Sequence, residues 1–242
     1  MGKDKYKRFL ENQQFTLLHQ PTFEEVFDKD FHLKGQWHSK FFCNTNPIVL
    51  ELGCGKGEYT VALARMFPNK NFIGIDIKGA RMWRGAKTAT EEQLPNVAFV
   101  RTRIEFIRSV FGQNEVNEIW ITFPDPQIKS NRRKKRLTAA GFLNSYRTFL
   151  CPDGTVHLKT DSQFLHEFTK CIISENELNQ LIANNDIYGS GFADELLSIK
   201  TAYENEFLSQ GLPITYLKFN INGTKPIKDP EFFDLDIFRA GV

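Results

Sequence analysis

Three glycines at alternate positions, Gly53, Gly55 and Gly57, follow the apolar run Ile48-Val49-Leu50-Glu51-Leu52. Such a run predicts a short buried parallel strand, and the apolar pattern from Tyr59 to Phe67 predicts a helix directly behind it. Glycines lack Cβ, so the loop between can take left-handed conformations and let a ligand lie against main-chain N–H groups. The chemistry expected there is recognition of a nucleotide-like cofactor; the alternative is a structural turn. A dinucleotide loop needs G-x-G-x-x-G for its pyrophosphate. Here the spacing is G-x-G-x-G, and Glu51 precedes it. A carboxylate beside the loop repels a pyrophosphate and suits an amino group and a sulfonium centre. S-adenosylmethionine therefore fits better than NAD.

A second apolar run, Asn71 to Ile77, contains Asp76, roughly twenty positions beyond the loop, where a carboxylate at a strand tip can accept bonds from both ribose hydroxyls. A strand-end turn residue is the other reading. Asn96 to Val100 predicts a third strand, after which Thr102, Arg103, Ile104 and Glu105 fall on the adenine side of such a fold. Farther on, Glu118 to Phe123 predicts a strand that ends in Pro124-Asp125-Pro126. Prolines fix φ and restrict the residue before them, so Asp125 is expected in a stiff segment at a strand's carboxyl end, where ligands of open α/β sheets bind. A rigid turn without chemistry is the bland alternative.

Directly behind stand Lys129 and the run Asn131-Arg132-Arg133-Lys134-Lys135-Arg136. Five consecutive basic residues between a strand end and a predicted helix (residues 138–150) suit phosphate backbones better than a merely solvated face. Asp161, at the end of the alternating stretch from Gly154, offers two acceptors to the adjacent donors of guanine's Watson–Crick edge, or else it or Thr160 caps the helix predicted from Gln163 to Ser174. Thr201 with Glu204 fits a capping box. His157 and His166 read as surface residues rather than catalysts, and without a His/Cys cluster no metal is expected.

Positioning these groups takes one α/β domain. A chain of 242 residues, 41% hydrophobic and 25% charged, can bury a full core. Its net charge of +2 says little beside the local clustering of its basic residues. The boundaries expected are an extension over residues 1–46, wrapping the domain or awaiting a partner, and a catalytic domain over 47–242. Lys3, Lys5, Lys7 and Arg8 read as a solvated terminus, with contact to a polyanion as the alternative. Cys43, Cys54, Cys151 and Cys171 lack C-x-x-C spacing, and the start of the chain lacks an apolar core, so a cytoplasmic protein without a membrane span is expected. The tail from Asp229, with Phe232, Phe233 and Phe238, is expected to pack back on the body.

Taken together, Glu51-x-Gly53-Cys54-Gly55-x-Gly57, Phe123-Pro124-Asp125-Pro126 with its basic run, Lys159-Thr160-Asp161 and Thr201-x-Tyr203-Glu204 resemble the bacterial tRNA (guanine-N7)-methyltransferase family of the TrmB type. The resemblance implies a Rossmann-like class I methyltransferase fold, with seven strands and the last pair reversed. It implies methyl transfer from S-adenosylmethionine to a guanine of the tRNA variable loop, conventionally position 46. By motif position Glu51, the three glycines, Asp76, Arg103 and Asp125 would bind the cofactor, Asp125 being also the catalytic residue. Lys129, Asp161, Thr201, Ala202, Tyr203 and Glu204 would meet the guanine, and Asn131 to Arg136 the RNA. The family usually has Trp where Gln127 stands, and an acidic or amide residue where Arg103 stands. Monomer and homodimer are both compatible with the pattern.

Overall fold

The computed structural model describes residues 2–231 and 233. In chain order the elements are α1 (Gly2–Asn12), β1 (Leu18–His19), α2 (Phe23–Val26), β2 (Ile48–Leu52), α3 (Glu58–Met66), β3 (Asn71–Asp76), α4 (Gly79–Glu91), β4 (Val97–Arg101), α5 (Ile107–Val110), β5 (Val116–Thr122), α6 (Ala140–Tyr146), β6 (Leu150–Thr160), α7 (Gln163–Glu175), β7 (Gln180–Asn184), α8 (Ala202–Ser209) and β8 (Thr215–Asn220). Among the described residues the strands follow the order β1-β4-β3-β2-β5-β6-β8-β7 in one sheet of eight. This is the expected Rossmann-like sheet with one strand more than the seven foreseen, because β1 adds an edge. Two compact units divide the chain: Met1–Ile119 with Phe149–Cys151, and Trp120–Thr148 with Pro152–Val242.

In the first unit β2, β3 and β4 run parallel, with Glu51 opposite Gly74, Leu52 opposite Ile75 and Asp76 opposite Arg101. All five residues of β2 are buried, as a parallel strand covered on both faces requires. Phe99, fully buried on β4, sets the spacing of the layers. A Cβ at Gly57 would lie 2.6 Å from its ring, one at Gly74 2.7 Å and one at Gly85 2.8 Å. These glycines make room for one aromatic ring between β3, the start of α3 and the middle of α4.

Residues 2–46 are built into this unit. β1 pairs in parallel with β4, Leu18 opposite Phe99. Trp37, fully buried at the start of a π-helical turn (Trp37–Phe42), donates its indole N–H to the Val110 carbonyl at 3.0 Å. The buried Glu115 carboxylate accepts the main-chain N–H groups of Gly35 (2.8 Å), Trp37 (3.0 Å) and Gly112 (2.7 Å). Such bonding to the charged form compensates for taking the carboxylate out of water.

In the second unit β8 lies antiparallel to both β6 and β7, with Lys159 opposite Tyr216. α7 packs through Phe164, Leu165, Phe168 and Ile172. Its cap is Ser162, whose hydroxyl accepts the Leu165 N–H at 3.2 Å, so neither Thr160 nor Asp161 holds the role considered for it. β6 starts at Leu150, and Pro152-Asp153-Gly154 lie inside the strand rather than in a turn before it. Both histidines expected at the surface are buried: His157 stacks on Trp120 at 4.1 Å and bonds the Tyr216 hydroxyl at 2.8 Å, and His166 lies on the buried face of α7. Burial pushes the His166 pKa down to about 4, so the ring stays neutral. Phe233 meets Phe164 and Phe168 edge-on, as foreseen for the tail, while Phe232 and Phe238 lie outside the described residues.

Candidate active site

The first unit carries a cradle at the carboxyl ends of β2 and β3. Gly53, Gly55 and Gly57 all have positive φ (77°, 55° and 71°). A Cβ at Gly53 would meet open space and one at Gly55 only the Gly53 carbonyl at 4.0 Å, so this side of the loop is free for a ligand to approach. Glu51 is buried behind the loop, where its carboxylate accepts the Thr60 main-chain N–H at 2.9 Å and the Thr60 hydroxyl, pinning the first turn of α3 to β2. The Asp76 carboxylate accepts the Gly55 N–H (2.9 Å) and the Lys78 N–H (2.8 Å), which fixes it at the tip of β3 beside the loop.

Next along the chain, Ile77 is 54% exposed although aliphatic. It lines a cleft of about 350 Å³ with Phe23, Val26, Thr102, Arg103 and Phe106. Gln20, Thr22 and Arg101 also line it, and a slot with an apolar wall and polar groups around it, beside a strand-tip carboxylate, fits a heteroaromatic base attached to a ribose. Arg103 sits at its rim, exposed, 3.4 Å from Glu105 and with its guanidinium over the Phe106 ring. Open loop, fixed carboxylate and part-apolar slot suit an adenosine-bearing cofactor.

The second unit holds a separate set of groups. Between Phe123 and Gln127 the chain makes a tight excursion in which both ends have positive φ (47° and 49°), rare for residues with side chains. Asp125 is exposed at its apex, and one carboxylate oxygen accepts the Gln127 N–H at 2.9 Å. The Phe123 N–H bonds the Lys159 carbonyl at 2.9 Å, which ties the excursion to β6. Strain of this kind persists only where the surroundings over-determine it, and it collects at functional sites.

Beneath this segment is a buried ion pair. Lys159 and Glu204 are both fully buried, 2.7 Å apart. The ammonium also donates to the carbonyls of Leu197 (2.6 Å) and Ile199 (3.1 Å), and the Tyr188 hydroxyl donates to Glu204 at 2.7 Å. Burial pushes the Lys159 pKa down and the facing Glu204 carboxylate opposes it. Asp161, two residues on, is partly exposed, and its carboxyl pKa is raised by burial against the opposing pull of its own N–H and the Thr160 hydroxyl. Phe207 of α8 stacks on Phe123 at 6.1 Å.

A family model described as "Putative methyltransferase" matches residues 45–217. A tRNA (guanine-N(7)-)-methyltransferase of Christiangramia forsetii is 57% identical over 221 residues, covering 91% of this chain and 99% of that protein. One from Bacteroides thetaiotaomicron is 47% identical over 241 residues, covering 99% and 95%. The chain belongs to the tRNA (guanine-N7)-methyltransferase family. Among solved structures, a 16S rRNA methyltransferase, KamB, superposes with a TM-score of 0.60 over 76% of this chain and 92% of that one at 16% identity, a likeness of fold. As a member of this family the chain is an S-adenosylmethionine-dependent tRNA methyltransferase.

Measured against the family's motifs, the methyltransferase departs from expectation at two residues. Arg136 is 3% exposed, unlike the rest of the run expected to meet RNA. Its guanidinium donates to the Gln127 carbonyl at 3.2 Å and lies 4.3 Å from the Phe168 ring and 4.6 Å from that of Phe164, so it anchors the Asp125 segment from below. Residues Lys129 to Lys135 remain exposed, Ser130–Lys135 as a short 3-10 helix. Glu204 likewise turns inward to Lys159 rather than outward. Only half of the capping box forms, with the Thr201 hydroxyl accepting the Glu204 N–H at 3.2 Å. Ala202 and Tyr203 open α8; the placement of their side chains lies outside what is described. Sequence reasoning gave no role to Lys159, Tyr188 or Thr60. A lysine at an inward position of an alternating strand was the visible signal for the first.

Proposed function

We propose that the chain methylates N7 of the guanine at position 46 in the tRNA variable loop, acting in the cytoplasm as a monomer or homodimer. The observation that carries this reading is the exposed Asp125, held at the apex of a strained excursion and followed at once by an exposed cationic segment. When bound, S-adenosylmethionine supplies an electrophilic methyl group on a sulfonium. N7 of guanine is an unprotonated lone pair at neutral pH and needs no base before attack. The new bond is N7–CH₃, the bond that breaks is S–CH₃, and its electron pair stays on sulfur. The purine becomes cationic as the sulfonium is neutralised.

The residues of this chain then have the following work. Gly53, Gly55 and Gly57 leave the loop open and Asp76 takes the ribose, with Glu51 and Arg103 as further cofactor contacts. Asp125 stabilises the positive charge that arises on the ring and holds the base in line. Lys129 and Asp161 meet the guanine together with the start of α8, which Glu204 positions through Lys159 in place of a direct contact. Asn131 to Lys135 take phosphates.

Incubating the protein with labelled cofactor and unmodified tRNA, then digesting one portion to nucleosides and another to ribonuclease fragments for mass spectrometry, tests the reaction and locates the modified base. 7-Methylguanosine at position 46 is expected; a different methylated nucleoside would indicate another RNA methyltransferase, and tRNA binding without transfer a non-catalytic RNA-binding protein. Replacing Arg132, Arg133 and Lys135 with Gln should weaken tRNA binding and lower the slope of log affinity against log salt by about 2 to 3, since each of the three phosphate contacts contributes about 0.7 to 0.9 units. Cofactor affinity should stay the same. A slope equal to that of the wild type would remove these residues from the RNA contact.

A further inference from the structure

The glycine loop has a second, basic side that the reading above leaves without a task. Lys56 and Gly57 of the loop, with Arg8 of α1, Glu58 and Arg65 of α3, and Arg81 and Arg84 of α4, line a cleft of about 520 Å³ around Trp83. The lining has five basic side chains against one acidic, Glu58. Trp83 organises the cluster. The guanidinium of Arg8 lies 4.8 Å from its ring centre, the Lys87 ammonium 5.2 Å and the Arg84 guanidinium 5.5 Å, while its indole N–H donates to Glu11 at 2.6 Å. One indole thus gathers three cations by its quadrupole and fixes α1 against α4.

The carboxylates nearby are already committed. Lys7 pairs with Glu11, Lys56 with Glu58, Arg65 with Glu92 and Lys87 with Glu91. Among the described residues none of these pairs takes Arg8, Arg81 or Arg84, and all three arginines are exposed. Arg81, Arg84 and Lys87 recur at every third position of α4, a row spanning about 9 Å at 1.5 Å per residue. A row of that length exceeds the spacing of successive phosphates along one strand. It tracks a chain of phosphates better than a single anion.

We propose that this cleft is a second phosphate-backbone contact for tRNA, made by α1 and α4 in addition to the segment from Lys129 to Lys135. The proposal rests on the reading that the substrate is tRNA and adds to it where a further stretch of the molecule is gripped. It also gives Arg8 a task in place of the solvated-terminus reading, since the indole of Trp83 holds its guanidinium in place.

The test uses the full-length protein with Arg8, Arg81 and Arg84 all replaced by Gln, and separately the single variants Arg81→Gln and Arg84→Gln at exposed helix positions. Filter binding of unmodified tRNA over a salt series is read beside calorimetric affinity for S-adenosylmethionine. The triple variant should lose at least about tenfold in tRNA affinity at low salt and about 2 to 3 units of salt slope, with cofactor affinity unchanged, and each single variant about 0.7 to 0.9 units of slope. Affinity and slope equal to the wild type in the triple variant, or in both single variants should the triple one not fold, would overturn the proposal while the function stands. Wild-type protein that takes up the cofactor but not tRNA would overturn the tRNA reading and this surface with it.

Discussion

Asp125→Asn lowers the single-turnover rate of methyl transfer by about 10²-fold or more at saturating cofactor and tRNA, the scale seen when a preorganised charge-stabilising group is lost. The substitution keeps size and shape. The amide oxygen can still accept the Gln127 N–H that shapes the excursion, now at 2.9 Å from the carboxylate. On the proposed mechanism, what disappears is a fixed negative charge close to a ring that gains positive charge in the transition state. Since N7 requires no deprotonation, the loss should be nearly the same at pH 6 and pH 8, whereas a general base would give a pH-dependent defect. Rapid-quench measurement of methylated tRNA across that range decides it. A rate close to wild type would remove Asp125 from catalysis.

Lys159→Met destabilises the protein by about 3–5 kcal/mol, because it strips the ammonium from a carboxylate that is itself fully buried. For a chain of this size each kcal/mol moves the midpoint by about 2–4 °C, so thermal unfolding followed by circular dichroism should show a drop of about 10 °C. The double variant Lys159→Met with Glu204→Leu should recover most of that loss, since replacing both charges by apolar groups leaves nothing unpaired. Its activity should remain low, because the carbonyls of Leu197 and Ile199 lose the donor that draws residues 197–204 onto β6. A midpoint for Lys159→Met within about 2 °C of the wild type would show that the pair carries little of the stability.

The architecture was legible where local rules act alone. Period-two and continuous apolar runs punctuated by Gly and Pro marked β2, β3, β4 and β5, and the glycine spacing with Glu51 and Asp76 marked the cradle. The positive φ of the loop glycines followed from their lack of a Cβ. Groups whose role depends on a remote partner were not legible. Glu204 meets Lys159 across 45 positions, and Arg136 turns from an apparent RNA contact into an anchor because two phenylalanines of α7 lie under it. No local pattern distinguishes the last arginine of a basic run from the four before it. The left-handed backbone at Phe123 and Gln127 was equally hidden, since neither residue type favours it. His157 was misplaced because a polar residue on an alternating strand reads as outward until Trp120 and Tyr216 are known to flank it.

Phe99 and the glycines at 57, 74 and 85 behave as a single unit of volume. Its consequence is evolutionary: these positions cannot drift independently. A methyl group gained at 74 becomes tolerable only in a lineage where residue 99 has already shrunk, so changes at these two sites should appear in pairs across descendants, whereas at 85 the Lys56 main-chain carbonyl, 2.7 Å from a Cβ there, bars a side chain whatever stands at 99. Position 57 is bound more tightly still, because its left-handed backbone penalises any side chain even after the ring has gone.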